Sequence, residues 1–232
     1  MAFKSAYILH RYPYRETSFL LKVLTEEEGL ITLVARNAKR PKSDWYTLLQ
    51  PFQKLKLVYQ GKGELLNLQQ AERSALSPML KSRTLFAGFY LNELLLKFLA
   101  PHDPHQNLFT MYETTLARLD QALEQSLRAF ELTMFDELGL LPDLNRDIAG
   151  DALMPESWYV LEFNQLPKKI SPPLRLLPQH FQGKKLLALQ ERTFADESEL
   201  VAAKRFIRLW LEWYGVGRDL KTREIFAEVF AQ

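Results

Sequence analysis

The first seventy residues of the chain alternate between short strand-like runs and turn residues, which limits this part of the chain to β structure. In the run Lys54–Tyr59, apolar residues alternate with lysine, as in a strand with one buried face. Gly61 and Gly63 then provide a turn. The predicted strands are Ala6–Arg11, Thr17–Thr25, Leu30–Ala35, Lys54–Tyr59 and Leu65–Gln70. Five such strands predict a small closed barrel, of either the OB-fold or the SH3-like type.

A basic loop follows the third predicted strand. Four cations lie within seven residues of this loop: Arg36, Lys39, Arg40 and Lys42. Trp45 and Tyr46 come just after them, and Arg15 lies in the first turn. Single-strand binding by a barrel needs cations along the backbone path and exposed rings for the bases. A solvated turn that protects a sheet edge explains the same charges, and it explains the rings if they belong to the core.

The charge of the chain is unevenly distributed. Residues 1–62 contain 11 Lys and Arg against 5 Asp and Glu, whereas the rest contains 19 against 23. The total of +2 therefore hides a basic N-terminal module and a slightly acidic remainder. Because local potential governs contact with a polyanion, the N-terminal module is the candidate for nucleic-acid binding.

The composition excludes several other classes of function. The chain has no cysteine, so it has no disulfide, thiolate zinc site or cysteine nucleophile. No apolar run is long enough to span a bilayer, and the N-terminus lacks the apolar core of a signal peptide, so we expect a cytoplasmic protein. No phosphate-binding glycine loop, nucleophile elbow or zinc-protease motif occurs. We therefore predict no catalytic residue, no metal and no cofactor.

Pro78 marks a change from strand to helix patterns. The predicted helices cover residues 85–99, 103–123, 126–138, 196–214 and 221–230. Asp103 and Asp196 are the expected N-caps of the second and fourth helices, and Gly139 is the expected end of the third. Six prolines exclude long helices from residues 140–195, where only Trp158–Phe163 resembles a strand.

Two further groups of residues have competing interpretations. Arg128 precedes Phe130 and Leu132, so the segment is either core with one surface cation or a groove for an acidic, hydrophobic peptide. The cations near the C-terminus form either the solvent-exposed face of a helix or a second DNA-contacting patch. The members of this second group are Lys204, Arg208, Lys221 and Arg223.

Ordered landmarks along nearly the whole chain resemble the RecO family of DNA repair proteins. They begin with Tyr14–Ser18, Gly29, Val34–Arg40 and Leu49–Phe52, and continue with Gly61–Glu64, Ala71–Glu72 and Tyr90–Leu95. They end with Arg128–Leu132, Leu138–Gly139, Ala202–Phe206 and Leu220–Arg223. The resemblance implies an α+β protein, with an OB-fold at residues 1–79, a helical domain at 80–232 and a loop-rich insert at 140–195.

The same resemblance implies a non-catalytic recombination mediator of the RecF pathway. Such a protein binds single- and double-stranded DNA, anneals complementary strands and binds the acidic C-terminal tail of single-stranded DNA-binding protein (SSB). With RecR it promotes RecA loading, and RecF is an indirect partner. By position, the implied DNA contacts are Arg15, Arg36, Lys39, Arg40, Lys42, Trp45, Lys204, Arg208, Lys221 and Arg223, and the implied SSB-tail contacts are Arg128, Phe130 and Leu132.

The chain departs from this family in one respect. Many members carry a four-cysteine zinc site in the segment that corresponds to residues 140–195, and this chain has none. We expect the insert to be held by packing around Trp158, Tyr159 and Phe163 instead. The competing functional interpretation is a protein-interaction adaptor that binds DNA weakly. A nuclease is disfavoured because the sequence lacks clustered carboxylates to hold metal.

Overall fold

The computed structural model describes residues 2–40, 42–74, 77–217, 219–222 and 225. These residues form two compact units. Of the described residues, the first unit holds those up to Asp120 together with Thr222 and Ile225, and the second holds those from Gln121 to Lys221. The helix predicted at 221–230 lies largely outside the described residues. Within the described ranges, no helix has both the length and the apolar character that a membrane span requires.

Five strands close into a barrel in the first unit. They are β1 (Lys4–Tyr14), β2 (Ser18–Thr25), β3 (Gly29–Ala35), β4 (Lys54–Gln60) and β5 (Leu65–Arg73). Around the barrel the order is β1-β2-β3-β5-β4, and only the β3–β5 pair is parallel. The barrel is an OB-fold, as the family resemblance implied. Its interior is filled by one or more aliphatic side chains from every strand, among them Ile8, Leu21, Leu33, Leu57 and Leu66.

A β-bulge interrupts β1 between Ile8 and His10, because Leu9 has no partner on β2. The extra residue shifts the alternation of side chains by one position. Arg11, opposite the core residues of β2, therefore lies on the interior side of the barrel wall, whereas His10 and Tyr12 lie on its outer side. The bulge decides which residues the second half of β1 presents to solvent.

Three helices belong to the first unit: α1 (Asp44–Leu48), α2 (Ser82–Phe98) and α3 (Gln106–Arg118). A buried hydrogen-bond chain joins α2 and α3 to β1. The side-chain amide of Asn92 donates to the carbonyl oxygen of Leu9 (2.7 Å), and the Tyr112 hydroxyl donates to Asn92 Oδ1 (2.5 Å). Because all the polar atoms of this chain are paired, burial of Asn92 carries little desolvation penalty.

The second unit combines three helices with a small sheet. Its elements are α4 (Leu123–Glu137), β6 (Trp158–Val160), β7 (Lys168–Ile170), β8 (His180–Gln182), α5 (Gly183–Glu191) and α6 (Glu197–Trp213). The sheet has the order β7-β6-β8 and is antiparallel throughout. Phe181 of β8 meets Phe206 of α6 edge to face (6.1 Å between ring centroids), and Phe206 stacks on Trp210 at 4.3 Å. These aromatic contacts join the sheet to α6.

Packing and main-chain hydrogen bonds hold the cysteine-free insert. Tyr159 is fully buried and its hydroxyl accepts the N–H of Met154 (2.9 Å). Gly183 lies so close to Met154 that a Cβ there would be 2.1 Å from the Met154 carbonyl oxygen. Asp147 is buried and its Oδ1 accepts from the N–H groups of Ala149 and Asp151, at 2.9 and 3.1 Å. The expectation of packing is confirmed for Tyr159, whereas Phe163 is 44% exposed.

The helix ends show where local patterns hold and where they fail. Asp196 caps α6 as predicted, because its carboxylate accepts the N–H of Glu199 at 2.9 Å. The prediction of Asp103 as a cap is wrong, since α3 begins three residues later and His105 is its N-cap. The segment before α3 is instead held against the barrel by the His102 N–H, which donates to the Leu30 carbonyl oxygen at 3.0 Å.

Two other predictions need correction. α5 lies within the segment that we expected to be loops and a single strand, although its nine residues make it short. Val201, predicted on the buried face of α6, is 60% exposed, whereas Phe206, Ile207 and Trp210 are buried as predicted.

Candidate nucleic-acid interface

Two loops of the barrel come together and bring their cations to one end, which we call the basic end. The strands β2 and β3 pair so that Phe19 lies opposite Ala35, which places the β1–β2 turn beside the loop after β3. The Lys39 N–H donates to the Thr17 carbonyl oxygen at 2.9 Å, and Ala38 is fully buried beneath the loop. The cations of the basic end are Arg15, Arg36, Lys39, Arg40 and Lys42, and all five are exposed.

The cations of the basic end have no acidic partners among the described residues, since none of the five forms an ion pair with a carboxylate there. The Arg15 guanidinium lies 5.3 Å from the centroid of the Tyr14 ring, a contact that leaves its charge available. Five exposed cations without acidic partners create a local positive potential that attracts an anionic polymer.

Of the two rings after the basic loop, Tyr46 is more exposed than Trp45. Trp45 is only partly exposed because it packs against the barrel core, whereas Tyr46 is 41% exposed. Arg11 fixes the position of Tyr46. Its guanidinium donates to the Tyr46 carbonyl oxygen (2.9 Å) and lies between two rings, 4.7 Å from the centroid of Phe19 and 5.2 Å from that of Tyr46. Arg11 therefore closes one mouth of the barrel and holds α1 in place.

Sequence reasoning did not assign Arg11 a role, because the bulge that turns it inward leaves no mark in the pattern of apolar residues. The choice between Trp45 and Tyr46 has a similar origin. The two rings are adjacent in the chain, so only the orientation of the short helix α1 decides which of them faces solvent. The cations and rings that the sequence groups together do lie in adjacent parts of the structure, on the loop after β3 and on α1.

The second predicted group of cations lies on α6 and just beyond it. Lys204 and Arg208 are exposed and four residues apart, so they lie on the same face of the helix. Lys204 Nζ is 3.8 Å from Glu124 Oε1, an exposed pair that contributes little to stability. Lys221 is exposed as well, and Arg223 lies outside the described residues.

The predicted SSB-tail residues are in the interior of the second unit. Arg128 is 6% exposed, and Phe130 and Leu132 are fully buried. Arg128 Nη1 is 3.1 Å from Glu131 Oε2, and Glu131 is also fully buried, so the two form a buried ion pair one helical turn apart. The Arg128 Nε–H has no hydrogen-bond partner in the described part of the chain. This region is therefore a closed surface with a charged pair beneath it.

No group of three or more metal-binding side chains comes together within the described ranges. Asp147 uses its carboxylate to accept main-chain N–H groups of a turn. In this loop the acidic side chain has a structural role.

The fold and the basic end define a class of protein. The first unit is a closed OB-fold barrel whose cations converge at one end, and the second unit combines helices with a small sheet; OB-fold barrels with such cationic surfaces are common among proteins that bind oligonucleotides. Sequence comparison identifies the family within this class. Residues 1–76 match the family model described as Recombination protein O N terminal, and residues 80–224 match Recombination protein O C terminal.

Similar full-length proteins carry the name DNA repair protein RecO. The protein from Dechloromonas aromatica is 38% identical over 97% of this chain and 94% of its own length. The proteins from Methylococcus capsulatus and Actinobacillus pleuropneumoniae serotype 7 are each 38% identical, over 95% and 96% of this chain and 91% and 93% of their own lengths. The chain belongs to the RecO family, and this membership supports a role in DNA repair and recombination.

Proposed function

We propose that the protein is a non-catalytic recombination mediator that binds single- and double-stranded DNA at the basic end of its barrel and anneals complementary strands. The observation that carries this proposal is the convergence of five exposed cations, without acidic partners among the described residues, on two hydrogen-bonded loops. We assign this activity to residues 1–79. Cations that contact phosphates give affinity without sequence preference, which suits a protein that acts wherever DNA is damaged.

Annealing follows from the same chemistry. When lysine and arginine neutralise the phosphates of two strands, the repulsion between the strands falls while the base edges remain free to pair. No nucleophile or general base is required, so the proposal needs no catalytic residue. Lys204, Arg208, Lys221 and Arg223, which the family resemblance implies as DNA contacts, would provide further cations for phosphates.

We also propose that the second unit binds the acidic C-terminal tail of SSB near Arg128. The unpartnered Arg128 Nε–H is a donor for a tail carboxylate, and Phe130 and Leu132 form the apolar layer beneath the site. Because Arg128 is almost completely buried, tail binding at this position requires local opening around α4 and competition with Glu131. Tail binding would deliver the protein to DNA that SSB already covers, where, with RecR, it would promote RecA loading in the RecF pathway.

The test is annealing of complementary oligonucleotides coated with SSB, compared with the same strands coated with SSB that lacks its acidic tail. The proposal predicts rapid annealing that depends on the tail, with both strands intact when magnesium is present. If the protein binds the tail but anneals neither coated nor bare strands, the adaptor interpretation is correct. Strand cleavage that requires magnesium would contradict the assignment as a non-catalytic protein.

A further inference from the structure

The outer face of β1 is covered by helices along only half of its length. In the first half, the Tyr7 ring packs against Phe109 and Tyr112 of α3, with ring centroids 5.6 and 5.1 Å apart. Leu9, at the bulge, is fully buried beside α2. Beyond the bulge the outer face carries His10 and Tyr14, which are half-buried, and Tyr12, which is 43% exposed. Three ring side chains in succession thus occupy the half of the strand that the described helices leave open.

These rings form two planar platforms. His10 and Tyr12 contact each other, with ring centroids 4.2 Å apart and a tilt of 48°, so His10 braces Tyr12 from one side. Burial lowers the pKa of His10 from its ordinary value near 6.5. His10 is therefore an uncharged planar group at neutral pH and stacks without repelling a neighbouring cation. Tyr14 forms the second platform, together with the Arg15 guanidinium 5.3 Å from its ring centroid.

The spacing of the platforms matches an unpaired strand. Positions two residues apart on a β-strand are separated by about 6.8 Å. This distance is about twice the 3.4 Å that separates successive nucleotides along one strand of a duplex. Bases that stack on Tyr12 and on Tyr14 therefore cannot stack on each other, as they do in a double helix. An extended single strand meets this requirement, and a duplex does not.

The neighbouring strand supplies a charge for the backbone of such a strand. Lys22 lies opposite His10 across the β1–β2 pair, and Leu20 lies opposite Tyr12. The Lys22 ammonium donates to Thr32 Oγ1 at 3.0 Å, which fixes it on the outer face. The open face thus presents rings in a row with one anchored cation at one end and Arg15 at the other, a combination that suits an anionic chain with planar side groups.

We propose that Tyr12, braced by His10, and Tyr14 stack bases of an unpaired DNA strand, so that the barrel binds single strands more tightly than duplex. This inference rests on the proposed function, because the basic end must first hold the phosphates. It adds a second contact, ring stacking, which only unpaired bases can form. The cations alone would bind single strands and duplex according to the charge density of each DNA form. The rings, in contrast, favour the single strand.

The test compares Tyr12→Ala/Tyr14→Ala with the matched variant Tyr12→Phe/Tyr14→Phe. Binding of each is measured by fluorescence anisotropy with a single strand, a duplex of the same length and an abasic single strand. We expect the alanine variant, which removes two stacking platforms, to lose roughly thirtyfold or more in affinity for the normal single strand. Its affinity for the duplex and for the abasic strand should stay at the wild-type value, and the phenylalanine variant should bind all three like the wild type.

Each possible failure has a distinct meaning. If the alanine variant binds the normal single strand as tightly as the wild type, the stacking inference is wrong and the basic end alone explains binding. Equal losses for all three ligands, with an unchanged thermal unfolding midpoint, would also overturn it, because stacking cannot weaken contact with an abasic strand. If the wild-type protein binds no DNA, the proposed function fails and the stacking inference fails with it.

Discussion

The main-chain N–H of Lys39 donates to the carbonyl oxygen of Thr17 at 2.9 Å, which joins the loop after β3 to the turn between β1 and β2. The two residues are far apart in sequence, yet this bond lets their loops share one surface. The side chain of Thr17 supports the same junction, since its Oγ1 donates to Asn37 Oδ1 at 3.3 Å. The cations of the basic end are therefore carried on a fixed support rather than on two independent loops.

The first prediction concerns charge at the basic end. The triple variant Lys39→Glu/Arg40→Glu/Lys42→Glu should bind both forms of DNA more weakly, because these cations release counterions from the phosphates. The slope of log affinity against log salt should become less steep, by up to about 2 for a single strand if all three contact phosphates. Fluorescence anisotropy titrations at several salt concentrations measure both quantities.

A matched control uses three exposed cations of the second unit. The variant Lys168→Glu/Lys169→Glu/Arg175→Glu changes the net charge by the same amount at residues to which we assign no DNA contact. It should retain a steeper salt slope than the basic-end variant. Identical slopes for the two variants would show that net charge, and not the basic end, determines binding.

The second prediction concerns the buried pair of Arg128 and Glu131. Arg128→Ala should lower the free energy of unfolding by about 3–5 kcal/mol, because it removes one member of a buried ion pair. Chemical denaturation of the wild type and the variant measures this difference. A loss of SSB-tail binding in Arg128→Ala alone would therefore not separate a contact from a folding defect.

The double variant Arg128→Met/Glu131→Leu removes both members of the buried pair and should be less destabilising than Arg128→Ala, because apolar side chains of similar volume replace the two charges. If the tail contacts Arg128, this folded variant should fail to bind a tail peptide while it still binds DNA. Tail binding at wild-type strength would place the SSB site elsewhere on the protein.

The third prediction concerns Gly183. A Cβ at this position would lie 2.1 Å from the Met154 carbonyl oxygen, so Gly183→Ala must displace main chain within the insert. We expect a loss of about 3 kcal/mol in the free energy of unfolding, the upper end of the usual cost of overpacking. Gly150→Ala is the control in the same insert, because its Cβ would meet no atom within 4 Å.

The control also carries a cost, since Gly150 has a φ of 88° and alanine is strained there by about 1–2 kcal/mol. Gly183→Ala should nevertheless be the more destabilising of the two, and limited proteolysis should cut its insert first. Equal effects of both substitutions would mean that the contact between Gly183 and Met154 does not hold the insert.

The fourth prediction concerns alkaline pH. Burial raises the pKa of Tyr7, Tyr59 and Tyr112 above the ordinary value of 10, with nearby carboxylates adding to the effect at Tyr7 and Tyr59. Below pH 10 these hydroxyls are protonated in both the folded and the unfolded chain, so their contribution is constant. Above pH 10 the unfolded chain releases protons that the folded chain retains, and stability should fall as pH rises.

Tyr112→Phe isolates one of these groups. The fall in unfolding free energy between about pH 10 and pH 11.5 should be less steep in this variant than in the wild type, by at most about 1.4 kcal/mol per pH unit. Urea denaturation at a series of pH values measures the slope separately from the hydrogen bond to Asn92 that the variant also loses. Parallel curves would show that Tyr112 does not couple folding to alkaline titration.

The strands of the barrel could be predicted because their side chains alternate between core and solvent. This alternation is visible in the sequence of each strand alone, without knowledge of its partners. Lys54–Gln60 shows this directly, with Leu55 and Leu57 buried and Lys56 exposed between them. Whole-chain topology could not be predicted this way, because pairing of β3 with β5 depends on contacts between distant residues. The family resemblance supplied that information and distinguished the OB-fold from the SH3-like barrel.

The candidate sites were predicted in part. The basic loop was found because charge in a short loop is almost always exposed, and its cations need no tertiary partner to be available. The environment of Arg128 could not be predicted, because an arginine one turn before a glutamate on a helix is usually a surface pair. Here both side chains are buried by neighbours that no local pattern reveals.

The bulge at Leu9 makes the surface of the barrel depend on the length of one strand. In a regular strand, the residues after Leu9 would keep the alternation of those before it. A strand that paired Leu9 in regular register would therefore turn the row of rings towards the barrel interior and expose Arg11, which now closes its mouth. Deletion of Leu9 would instead join Ile8 directly to His10 and keep both faces as they are, at the cost of one fully buried side chain. A shift of one residue in the pairing after Ile8 thus exchanges the chemistry of two surfaces at once, whereas loss of the bulge residue itself does not.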